Sequence, residues 1–112
     1  MKQQERRTWA EISLPNLEHN YRALRALLPE GCRFLGVVKA DAYGHGLLPA
    51  ALAALAGGAT WLGTAQSHEA LLLRKLGIGP DRCRILTWVY NGTEVPFDEL
   101  IAADIDVSVG SL

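Results

Sequence analysis

Two hydrophobic rhythms alternate along the chain. Leu14, Leu17, Tyr21, Leu24 and Leu28 recur three and four residues apart, with Arg22 and Arg25 off that stripe. Such spacing lines one side of a helix. Ser13 stands where it can cap that helix, Pro15 is tolerated in its first turn, and Pro-Glu-Gly at 29–31 ends it. Just before, TWAEISL at 8–14 alternates enough to predict a short strand. FLGVVKA at 34–40 is apolar nearly throughout, as in a strand covered on both faces. After the polar stretch DAYGHG, read as a loop, LLPAALAALAGG at 47–58 predicts an alanine-rich helix stopped by Gly57 and Gly58.

The unit then recurs. TWLGTA at 60–65 predicts a second strand; Ser67 can cap the helix HEALLLRKLG, with Gly77 at its C-cap. RILTWVY at 84–90 predicts a third strand, and Asn91-Gly92 a turn. VPFDELIAAD at 95–104 is a short helix with Pro96 near its start, and IDVSVG at 105–110 a fourth strand. Strand starts near 36, 60, 84 and 106 give a regular β-α-β-α-β-α-β order. Parallel strands joined by right-handed crossovers are the natural outcome. An open doubly wound sheet and a closed barrel both use such units. The even repeat and the lack of a G-x-G-x-x-G favour the barrel. An eight-stranded (β/α)8 TIM barrel takes about 250 residues, so residues 1–112 read as its first four βα units, an N-terminal portion of an α/β domain.

Composition narrows the partners. Eleven basic against twelve acidic residues give a formal net charge of −1. No basic excess is left to face phosphates, which argues against nucleic acid and anionic membrane surfaces. No apolar run has the length to cross a bilayer, and MKQQERRTWAE lacks the apolar core of a secretory signal. Cys32 and Cys83 are far apart and fit no metal spacing, so free reduced thiols and a cytoplasmic setting are expected.

The candidate chemistry gathers in VVKADAYGHG, residues 37–46. Barrel chemistry sits at the C-terminal ends of the strands, and Lys39 falls at such an end. Aliphatic walls there disfavour an ammonium, and a neutral amine can attack an aldehyde. Tyr43 offers a phenol to a phosphate oxygen, while Gly44 and Gly46 let a ligand approach the backbone. An aldehyde and a phosphate together describe pyridoxal 5′-phosphate. On position alone, a lysine such as Lys39 is usually a solvated strand-end residue, and a tyrosine such as Tyr43 is more often loop packing than a ligand contact. His45 is assigned to the loop, since no second ligand lies at metal spacing. His19 and His68 fall on helix surfaces, and Asp41 is expected to point away from Lys39.

Taken as one string, V-x-K-A-D-A-Y-G-H-G resembles the pyridoxal-phosphate attachment signature of alanine racemases. The likeness extends to TWAEISLPNLEHNYRALRALLP, WLGTAQSHEALLLRKLGI, ILTWVYNG and DIDVSVGSL. It implies a bacterial, cytoplasmic, homodimeric enzyme with a cofactor-bearing barrel and a C-terminal β domain. Such an enzyme interconverts L- and D-alanine and supplies D-alanine for peptidoglycan. By matching positions, Lys39 would carry the cofactor as a Schiff base and act as one catalytic acid/base. Tyr43 would bind its phosphate, and Val37 and Trp88 would lie beside it; Trp88 reads equally as a core aromatic. The second base would lie beyond residue 112, so these residues by themselves are expected neither to fold stably nor to racemise alanine. A related racemase with another substrate, a non-catalytic single-barrel cofactor binder and an open α/β binding module are the alternatives.

Overall fold

The computed structural model describes residues 7–89 and 95–110. Helix α1 (Leu14–Ala26) starts where Ser13 caps it, the Ser13 hydroxyl accepting the Asn16 N–H at 3.3 Å. Strand β1 (Leu35–Val37), α2 (Lys39–Tyr43), α3 (Leu47–Ala56), β2 (Trp61–Gln66) and α4 (Ser67–Lys75) follow. Strand β3 (Arg84–Val89), α5 (Phe97–Ala102) and β4 (Asp106–Val107) complete the order. The strands form one parallel sheet, β1-β2-β3-β4, with Val37 opposite Gly63, Gly63 opposite Leu86 and Leu86 opposite Asp106.

Alternation gives the sheet two unlike faces. Leu62 and Thr64 of β2 and Ile85 and Thr87 of β3 point to the helix side and are buried to 1% exposure or less. There Leu62 and Ile85 join Ala50 and Ala54 of α3, Ala70 and Leu73 of α4 and Leu100 of α5 in one core. Each large aliphatic side chain so buried contributes roughly 1.5–3 kcal/mol. The two threonine hydroxyls are satisfied within the sheet: Thr64 donates to the Leu86 carbonyl and Thr87 to that of Ala65. The opposite face carries Leu35, Trp61, Gly63, Leu86 and Trp88, of which only Gly63 is fully buried. A Cβ on Gly63 would lie 2.7 Å from both Leu35 and Trp88, so the bare backbone there is the seat of the indole. Gly57 plays the same part between α1 and α3, where a Cβ would come within 2.5 Å of Tyr21.

Two arginines stitch the N-terminal end of the sheet. Arg74, at the end of α4, donates to the carbonyls of Ile78, Cys83, Ala103 and Asp104 at 2.9–3.1 Å. Burial pulls its guanidinium below the ordinary arginine value. Arg84 forks onto Asp106 and Asp104 at 2.6–3.2 Å. Hydrogen bonds to Asp106 and then Asp104 hold Arg84 above its ordinary value, and the Arg84 bond holds Asp104 below the usual carboxylate range.

Several expectations need correction. Residues 8–13 form no strand: they are exposed, and α1 begins at Leu14. A lone extended segment has no ladder to receive its N–H and C=O groups, and the Trp9 indole instead donates to Glu11. The fourth strand shrinks to Asp106–Val107, which pairs with β3. Gln66, rather than Ser67, caps α4, in a reciprocal box with Glu69. Tyr90 and the Asn91-Gly92 turn lie outside the described residues. Cys32 is exposed, Cys83 is buried, and both are free thiols.

Candidate active site

The expected loop after β1 is a turn of reversed hand. Ala40, Asp41, Ala42 and Tyr43 all have φ between +52° and +58°, and Gly44 follows at +84°. Left-handed helical backbone costs an L-residue roughly 1–2 kcal/mol, because Cβ crowds the next carbonyl. Four such residues in succession therefore need support from their surroundings. Inside the turn, the Ala42 N–H donates to the Val38 carbonyl at 2.9 Å and the Gly44 N–H to that of Ala40 at 3.1 Å. At the exit, the Asp41 carboxylate accepts the Leu47 N–H at 2.7 Å and fixes the start of α3. The His45 ring lies 2.9 Å through Nδ1 from the Ala42 carbonyl. A carbonyl can only accept, so that nitrogen carries the hydrogen.

This turn sets the reach of Lys39 and Tyr43. The ladder runs one residue past β1, the Val38 N–H donating to the Gly63 carbonyl, and Lys39 stands at the C-terminal end of the sheet. Half-buried, it lines a cavity of about 500 Å³ with Ala65, Gln66, Asp41, His68 and Glu69. Its ammonium nitrogen is 5.9 Å from the centre of the Tyr43 ring, within reach of a cation–π contact. Tyr43 is 61% exposed, with its phenol free to meet a ligand. Val37 and Tyr43 share the wall of a neighbouring cavity of about 150 Å³ with Tyr21. Burial, and then the nearby Tyr43, push the Tyr21 phenol above its ordinary value.

Lys39, Tyr43 and Val37 are thus brought together at the end of β1. Trp88 stands on the same sheet face as Val37, across Gly63 from Leu35, and does not line the Lys39 cavity. Asp41 is engaged with α3, while His19 and His68 are exposed on α1 and α4. Among the described residues, no three His, Cys, Asp or Glu side chains gather as a metal site would require, and no helix is long and apolar enough to cross a membrane. Sequence reading missed Glu69. Gln-Ser-His-Glu at 66–69 carries the spacing of a capping box, but its contact with the turn joins residues 28 positions apart.

The family model described as alanine racemase, N-terminal domain, matches residues 12–112. The chain belongs to the alanine racemase N-terminal domain family. An alanine racemase of Streptomyces coelicolor is 50% identical over 107 residues, which cover 95% of this chain and 27% of that protein. Its solved structure superposes with a TM-score of 0.81 over 88% of this chain and 26% of its own. Alanine racemase from Bacillus anthracis, solved with bound L-Ala-P, gives 0.81 at 31% identity over 96% of this chain and 27% of its own. The chain therefore spans about a quarter of the length of these relatives. Its four parallel strands match the N-terminal part of the alanine racemase barrel.

Proposed function

We propose that these residues form the N-terminal, cofactor-bearing portion of an alanine racemase that uses pyridoxal 5′-phosphate. The observation that carries this reading is the pairing of an amine and a phenol at one strand end, Lys39 with Tyr43, 5.9 Å from nitrogen to ring centre. The residues present fit the cofactor. Lys39 offers a half-buried nucleophilic amine at the wall of a cavity of about 500 Å³. Tyr43 offers an exposed hydroxyl, and a Cβ placed on Gly44 would meet nothing within 4 Å, leaving the backbone beside it open.

Pyridoxal phosphate, when bound, supplies an electron sink for the charge left on the alanine Cα once its proton is removed. Lys39 would hold the cofactor covalently, and its amine, once free, would take or return the Cα proton on one face. Tyr43 would donate its hydroxyl to the phosphate, and Val37 and Trp88, which share the sheet face that carries Gly63, would stand beside the ring. Inversion needs a second proton-transfer group on the opposite face. Tyr21 is not that group: its hydroxyl packs behind the sheet, within 3.2 Å of where a Cβ on Gly36 would stand. We assign the second group to residues outside this chain, within a cytoplasmic homodimer that makes D-alanine for peptidoglycan in bacteria.

The test joins residues 1–112 to the remaining three quarters of the S. coelicolor relative in one polypeptide. With pyridoxal phosphate the joined protein is expected to show visible absorbance, to fix the cofactor on Lys39 after borohydride reduction, and to racemise alanine. Lys39→Ala is expected to lose all three. Cofactor trapped on a different residue, or racemisation that survives Lys39→Ala, would sink the reading. The 112 residues alone are expected to be inactive; turnover by them would overturn the assignment of the second group to residues outside this chain.

A further inference from the structure

Glu69 is the one charged side chain buried among the described residues, at 7% exposure. It stands in the first turn of α4, and its two carboxylate oxygens serve different segments. Oε1 accepts the Gln66 N–H at 3.4 Å and closes the cap of α4. Oε2 accepts the N–H of Asp41, also at 3.4 Å, from inside the left-handed turn. A capping box needs only the first of these bonds. Within the turn, bonds to preceding carbonyls begin at the Ala42 N–H, so Asp41 has no partner there and takes one from another element. Asp41 passes the restraint on, its own carboxylate accepting the Leu47 N–H at the start of α3. Glu69 and Lys39 also line the same cavity.

We propose that Glu69 is a positioning residue. By tying the turn to the helix after β2, it fixes the amide two residues beyond Lys39 and so sets the direction of the Lys39 amine. This role rests on the reading of Lys39 given above. A carboxylate confined to capping α4 would predict loosening of the first turn of α4 alone; the second bond predicts loosening of residues 40–47 as well.

The joined protein described above, without cofactor, is compared by amide hydrogen exchange with its Glu69→Ala and Glu69→Gln variants. In Glu69→Ala the Asp41 and Leu47 amides are expected to exchange at least about tenfold faster, while Leu73 in the body of α4 keeps its rate. Glu69→Gln keeps the shape but offers one oxygen to two N–H groups, so a smaller rise is expected, and it serves if the alanine variant fails to fold. Attachment of pyridoxal phosphate to Lys39, followed by visible absorbance, is expected to slow in the same order, and kcat to fall more than KM rises. Unchanged Asp41 exchange in both variants would overturn the tie. Faster exchange with wild-type attachment kinetics would overturn the positioning role and leave the assignment of Lys39 standing. Failure of the unsubstituted joined protein to attach the cofactor at Lys39 would overturn that assignment and this role with it.

Discussion

The two ends of the sheet are built on opposite terms. At the N-terminal end, Arg74 and Arg84 make eight hydrogen bonds of 2.6–3.2 Å to carbonyls and carboxylates. The backbone there is relaxed apart from Asp104, a residue type that tolerates positive φ. At the C-terminal end, four successive non-glycine residues sit in a disfavoured conformation, tied to α4 by one 3.4 Å bond. Stability is gathered at one end and strain at the other, the division expected when chemistry occupies the strand C-termini.

Substitutions can break or sharpen that contrast. The largest effect on stability is expected from Arg74→Ala, which abandons four carbonyls and should cost about 3 kcal/mol. Urea unfolding of the joined protein measures it, with cofactor attachment at Lys39 unchanged; a variant that unfolds normally but attaches poorly would mean the ends are coupled. Gly63→Ala drives a methyl into Leu35 and Trp88 and is expected to cost about 2 kcal/mol by overpacking, with altered tryptophan fluorescence as a second readout. Ala40→Gly should instead stabilise. Its side chain is exposed, so little burial is lost, and relief of the left-handed strain outweighs the added chain entropy by about 0.5 kcal/mol. Destabilisation of similar size would show that the turn carries no strain to release.

The smallest effect concerns pH. The Arg84 hydrogen bond depresses the folded carboxyl of Asp104. Its contribution is therefore present above the ordinary carboxylate value and lost as pH falls through the depressed one. In acid titrations of unfolding, Asp104→Asn should fall below wild type near neutrality and converge with it in acid. Curves that stay parallel would mean the pair adds nothing to the pH dependence.

Much of this was legible beforehand. The 3.6-residue stripe marks α1, and the apolar runs hold β1 (Leu35–Val37, shorter than the 34–40 expected), β2 (Trp61–Gln66) and β3 (Arg84–Val89), because burial on the helix side selects apolar residues there. Ser13, Gly57 and Gly77 marked helix ends through their own chemistry. The pairing of Lys39 with Tyr43 could be anticipated from strand-end placement. The handedness of residues 40–43 could not: Ala-Asp-Ala-Tyr has ordinary right-handed preferences, and tertiary contacts reverse them. Residues 8–14 show the converse error, alternation with no neighbouring strand to pair with among the described residues.

The backbone at 40–43 follows, locally, the mirror image of a common helical turn. A D-alanine introduced by chemical synthesis at position 40 would find there the well that an L-residue occupies in any right-handed helix. The enantiomer that breaks helices elsewhere would be the unstrained occupant of this one, which makes chirality at a single α-carbon a direct gauge of how hard the rest of the fold holds the turn in place.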